Sequence, residues 1–200
     1  MIATAVYAEM TPNPRTMKFV VDRLLITPGE AVEYASQSDA RGSSSLAEAL
    51  FAFPFVQGVF IMSNFITVTK TDNIDWDLIV YELREFVRDF LTNNETAVQQ
   101  IPVKQEAEKS DNTTDVSDEP VVPSEFDDQI KAILEEYVRP AVEGDGGLID
   151  FKSFKEGVVT VTLRGSCSGC PSSMQTLKGG IETMLTQMIP EVKAVVAEEL

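Results

Sequence analysis

The stretch from about Asn93 to Pro123, NNETAVQQIPVKQEAEKSDNTTDVSDEPVVP, has no aromatic residue and little hydrophobic periodicity. Between Glu95 and Glu119 it carries seven acidic residues and two basic ones. Such a segment buries too little apolar surface to offset the entropy of ordering it. It therefore splits the chain. The expectation is a first domain over 1–92, a flexible acidic linker over 93–123 and a second domain over 124–200. A length of 200 residues with 44% apolar content suits two small domains, each with its own core.

Both flanks read as mixed helix and strand, so the fold class is α+β. In the first domain MKFVVDRLLI, Met17 to Ile26, is strand-like. Leu46 to Phe51 reads as a short helix with Ser43 to Ser45 as candidate caps. VQGVFIMSNFITVTK reads as a hairpin turning at Ser63-Asn64. Trp76, Ile79, Val80, Leu83, Phe86, Val87 and Phe90 recur at helical spacing, which predicts an amphipathic helix over Asp75 to Phe90. In the second domain Phe126, Ile130, Ile133, Leu134 and Tyr137 line one face of a helix opened by Ser124 and kinked or ended by Pro140. LIDFKSF and GVVTVTLRG are strands around a turn at Glu156-Gly157. Met174, Leu177, Ile181, Met184, Leu185 and Met188 mark a further helix, and VKAVVAEEL closes as a strand.

The net charge of −16, from 16 basic and 32 acidic residues, argues against nucleic acid and against an anionic membrane surface. The start, MIATAVYAEM, is not basic, and its apolar run is too short to span a bilayer, so the cytosol is the expected compartment. No carboxylate pair sits in a recognisable catalytic motif, and no glycine-rich nucleotide loop is present. Thr11-Pro12-Asn13-Pro14 reads as a rigid loop, and Asp145-Gly146-Gly147 as a turn leading into a strand at Leu148.

The two cysteines of the chain, Cys167 and Cys170, stand in RGSCSGCPSSMQTLKGG between a strand end and a helix start. Pro171 suits the first helical turn. The helix N-terminus favours negative charge, so both thiols are expected to ionise readily. Ser166, Ser168 and loop amides are candidate donors to sulfur. Three readings follow: a dithiol–disulfide redox pair, a metal or cluster site, and cysteines that merely fill a turn. The redox reading is disfavoured by a missing proline between the thiols and by the missing alternation of strand and helix around them. A closed zinc site or an iron–sulfur cluster needs about four protein ligands. With two cysteines and no histidine, one chain falls short, and two chains bringing their loops together do not.

The residues around the thiols carry a resemblance. RPAVEGDGGLIDF, VVTVTLRGSCSGCPSSMQTLKGGIETML and IPEV resemble the C-terminal domain of the NifU/Nfu family of iron–sulfur cluster carriers, over about Asp127 to Val196. TPNPRTMKF, SSSLAEALF, GVFIMSNFITVTK and Trp76 resemble the Nfu-type N-terminal domain, over about Ala3 to Phe90. Where that domain usually reads Ser-Pro-Leu-Ala, this chain has Ser44-Ser45-Leu46-Ala47. The resemblance implies a non-enzymatic carrier. It implies a labile [4Fe–4S] cluster held by Cys167 and Cys170 of each of two subunits, hence a homodimer when loaded. Its implied partners are an upstream assembly scaffold and the apo iron–sulfur proteins that receive the cluster.

Overall fold

The computed structural model describes residues 4–94, 96–101, 124–168 and 171–199. Residues 102–123 of the expected linker lie outside that set, as does Cys170. The chain forms two α+β units, as expected.

In the first unit the strands are β1 (Val6–Met10), β2 (Thr16–Val21), β3 (Ala31–Tyr34), β4 (Val56–Met62) and β5 (Phe65–Lys70). They form one antiparallel sheet in the order β1-β2-β5-β4-β3. The β4–β5 turn falls at Ser63-Asn64, with Ser63 at φ 47°. Helices α1 (Gln37–Ala40) and α2 (Ser45–Leu50) follow β3, and α3 (Trp76–Asn93) follows β5. Ser44 caps α2, its Oγ accepting from the Ala47 amide at 3.1 Å. Ile79, Leu83, Val87 and Leu91 of α3 pack with Phe19, Val21, Val59, Ile61, Ile66 and Val68. Strand periodicity puts these sheet residues on one face.

The same periodicity places Lys18, Phe60, Met62, Phe65 and Thr67 on the other face, and all five are buried. A sheet whose second face met water would alternate with polar residues. Here that face is covered by Leu148 of the second unit, which joins Phe60, Met62 and Phe65 in a small apolar cluster.

Residues 96–101, which composition assigns to the linker, instead lie against the first unit. Ala97 is buried in its core. Its carbonyl accepts from Ser44 Oγ at 2.7 Å, and the Gln99 amide donates to the Ser43 carbonyl at 2.8 Å. These backbone partners hold a segment that has little apolar surface of its own. Sequence reasoning also passed over β1 and β3, which are short and lack a continuous β-branched run, and α1. Strand β2 stops at Val21, earlier than the predicted Ile26.

In the second unit α4 (Asp127–Ile133) runs through a π turn (Leu134–Val138) into α5 (Arg139–Gly144). Pro140 supplies no N–H and its ring crowds the carbonyl four residues back, and the widened turn lies just before it. The extra residue shifts the buried stripe: Tyr137, predicted to face the core, is 53% exposed, and Val138 is buried instead. Strands β6 (Gly147–Lys155) and β7 (Val158–Gly165) form a hairpin whose turn has Glu156 and Gly157 at φ 52° and 87°. Helix α6 (Pro171–Met188) then leads to β8 (Ala194–Glu199), which pairs parallel to β7. The unit β7–α6–β8 is thus a βαβ crossover. The order strand, thiols, helix, strand is as expected, but the parallel pairing of β8 with β7, which local sequence does not show, makes it the pattern expected to be missing around the thiols. Among the described residues no helix is long and apolar enough to cross a membrane.

Candidate functional site

Cys167 sits in the loop between the end of β7 and the start of α6. The backbone leaves β7 through Gly165 at φ 70°, a conformation that favours glycine. A Cβ at Gly165 would stand 2.7 Å from the Gly146 carbonyl oxygen and 2.9 Å from Phe60, so the residue is also required for close approach. Gly146, at φ 82°, turns the chain into β6 as expected. Gly147 has a role that its turn reading missed: a Cβ there would meet Cys167 Sγ at 2.8 Å. The Asp145-Gly146-Gly147 turn is therefore the floor beneath the thiol.

Cys167 is only 7% exposed and belongs to the apolar core of its unit. Burial pushes its thiol up; a hydrogen bond with Ser166 pulls it down, and the Asp145 carboxylate pushes it up further. The expectation of a readily ionised Cys167 is corrected accordingly: burial of the thiol is the largest influence on it. Ser166 Oγ lies 3.9 Å from Cys167 Sγ and donates to the Asp145 carbonyl. Ser168 Oγ donates to the Gly165 carbonyl at 2.9 Å, not to sulfur. Among the described residues no cluster of three or more His, Cys, Asp or Glu could hold a metal ion.

The first unit meets the second at this loop and its floor. Asn13 Nδ2 donates to the carbonyls of Ser166 at 3.1 Å and Ser168 at 3.2 Å, on either side of Cys167. The Gly165 amide donates to Glu33 Oε1 at 3.2 Å. Thr67 Oγ1 donates to the Gly146 carbonyl at 2.7 Å. Lys18 Nζ donates to the Gly144 carbonyl at the C-terminus of α5 at 3.0 Å, where a cation suits the helix dipole. Of these four, sequence reading touched only Asn13, as part of the rigid loop Thr11-Pro12-Asn13-Pro14, and picked out none of Lys18, Glu33 and Thr67. The available signal was the unbroken apolar run GVFIM followed by FITV, since a strand covered on both faces loses its polar alternation.

An α+β unit whose Cys167 follows a strand in a loop leading to a helix, contacted at that loop by the other unit, defines a two-domain thiol-loop protein. The family profile described as "Scaffold protein Nfu/NifU N terminal" matches residues 6–94, and the one described as "NifU-like domain" matches residues 130–196. The chain belongs to the Nfu/NifU family: an Nfu-type N-terminal domain followed by a NifU-like domain. It is 35% identical over 190 residues to a protein of Drosophila sechellia named "NFU1 iron-sulfur cluster scaffold homolog, mitochondrial", covering 95% of this chain and 63% of that one. A protein of the same name from Drosophila grimshawi is 36% identical over 190 residues, covering 95% of this chain and 60% of that one. The chain thus spans about three-fifths of the length of these curated relatives. A solution structure of a NifU-like protein from Saccharomyces cerevisiae aligns with a TM-score of 0.44 and 22% identity over 48% of this chain and 86% of that one. The relatives are named as mitochondrial, which overturns the cytosolic expectation drawn from the first ten residues.

Proposed function

We propose that the chain is a carrier of an iron–sulfur cluster, a [4Fe–4S] cluster held as cargo between two copies by Cys167 and Cys170 of each. The observation that carries this reading is the thiol loop itself. It lies inside the NifU-like match, in a chain with two cysteines and no histidine, so a complete set of soft ligands calls for a second copy. The names of the relatives support a place in cluster assembly. Cys170 lies outside the described residues, and its ligand role rests on its spacing from Cys167.

Transfer is ligand exchange. An acceptor thiol gives up its proton and bonds to iron as the bond from iron to a carrier cysteine breaks; the released thiolate takes a proton, and no electrons change hands. The reading makes the chain a carrier without catalytic turnover, with an upstream assembly scaffold and apo iron–sulfur proteins as partners. In this proposal the first domain ends after the docked segment 96–101, and the second begins at 124.

The βαβ crossover around the thiols gives some support to a dithiol–disulfide oxidoreductase. Against it stands Cys167, buried with its thiol pushed up, where an attacking cysteine needs to be an accessible thiolate. Anaerobic loading with iron and sulfide of a chain carrying both Cys167→Ala and Cys170→Ala tests the ligands. That chain should stay folded and iron-free; bound cluster in it would reject the assignment. Disulfide-reductase turnover by the unaltered chain would favour the alternative.

A further inference from the structure

We propose that Asn13 is a latch for the thiol loop: from the first domain, its carboxamide holds the loop in a closed arrangement that keeps Cys167 covered, and release of that contact uncovers the sulfur. This deepens the carrier reading and rests on it for its purpose, though not for its test.

The latch is built from an otherwise plain loop. Asn13 lies between Pro12 and Pro14, whose rings restrict the backbone and reduce the entropy lost in holding it. The residue is 2% exposed. An amide side chain offers two N–H donors and an oxygen acceptor. Here the oxygen accepts from the Arg15 amide at 3.0 Å, which fixes which way the carboxamide points. The nitrogen is left facing the carbonyls of Ser166 and Ser168, and bonds both. Those two carbonyls bracket Cys167 in sequence, so one side chain sets the path of the backbone that carries the thiol. Aspartate has the same shape and no donor, and glutamine is one methylene too long.

Other contacts between the domains act on the same loop and its floor. Glu33 holds the Gly165 amide, Thr67 holds the Gly146 carbonyl, and Phe60 packs where Gly165 has no side chain. With the loop held this way Cys167 is buried. A sulfur in that position cannot meet a second copy of the loop or an acceptor protein. On this proposal the first domain moves off the loop before the carrier reaction, and the two Asn13 bonds to the loop break when it does.

The test uses the full cluster-free chain. Iodoacetamide is added under native conditions, and modification at Cys167 is followed by peptide mass spectrometry, with thermal unfolding measured in parallel. Asn13→Asp should raise the rate at Cys167 by at least about tenfold, from the loss of two hydrogen bonds that exist in the closed form alone. Thr67→Val, on a different strand but holding the same floor, should raise it by a smaller factor. The increase should exceed any that the change in global stability accounts for. A folded Asn13→Asp chain that reacts at the unaltered rate overturns the latch. If that variant does not fold, an unchanged rate in Thr67→Val overturns it instead. Because no cluster is present, failure here leaves the carrier reading standing, and failure to load a cluster leaves the latch standing.

Discussion

Gly147 lies directly under Cys167: a Cβ added to Gly147 would stand 2.8 Å from Cys167 Sγ and 2.8 Å from the Arg164 carbonyl oxygen. Neither neighbour can yield freely, since one is strand backbone and the other a buried thiol. Gly147→Ala should therefore lower stability by about 1–3 kcal/mol, the usual cost of overpacking. Gly144, at the end of α5, has open space around its Cβ position. Gly144→Ala should leave stability unchanged or raise it by up to about 1 kcal/mol. Calorimetric melting of the two variants checks the pair; equal melting temperatures would contradict the floor assigned to Gly147.

Phe60 and Leu148 come from different domains and share one small apolar cluster. If the domains stabilise each other through it, truncating both should not cost the sum of truncating each. Each alanine substitution should cost about 2–5 kcal/mol. A double-mutant cycle by urea unfolding should give a coupling of about 0.5–3 kcal/mol. Strict additivity would mean that the two side chains do not support each other.

Much of this architecture was legible in sequence because its signals are local. The Glu156-Gly157 turn, the Ser44 cap, the stripe of α3 and the cysteine spacing each depend on residues a few positions apart. What was not legible depends on contacts between residues far apart. Nothing near Asn13 shows that its carboxamide meets carbonyls at Ser166 and Ser168, and a proline-flanked loop reads the same whether or not it has such a partner. Cys167 teaches the same lesson. Its place before a helix N-terminus is visible in sequence and argues for an easily ionised thiol, while the burial that pushes the thiol the other way comes from the folded core around it.

That reversal has a pH signature. Burial pushes the Cys167 thiol above the 9.0 of an ordinary thiol. The folded chain then keeps this proton to higher pH than the unfolded chain does. The stability this contributes is fully present below 9.0 and is lost as pH rises through the folded-state value. Titration of the cysteine Cβ resonances in the carbon-labelled, cluster-free chain should give a Cys167 midpoint above 9.0, whereas a midpoint below it would contradict the desolvated site. Binding a cluster must remove this proton, so loading should become more favourable as pH rises.

The most direct measurement is native mass spectrometry of the full chain after anaerobic reconstitution with iron and sulfide, with iron counted on the same sample. The account predicts a dimer carrying one [4Fe–4S] cluster, about two irons per chain, with the cluster-free chain giving no such species. A monomer that holds a complete cluster, or a chain that stays colourless and iron-free, would contradict it.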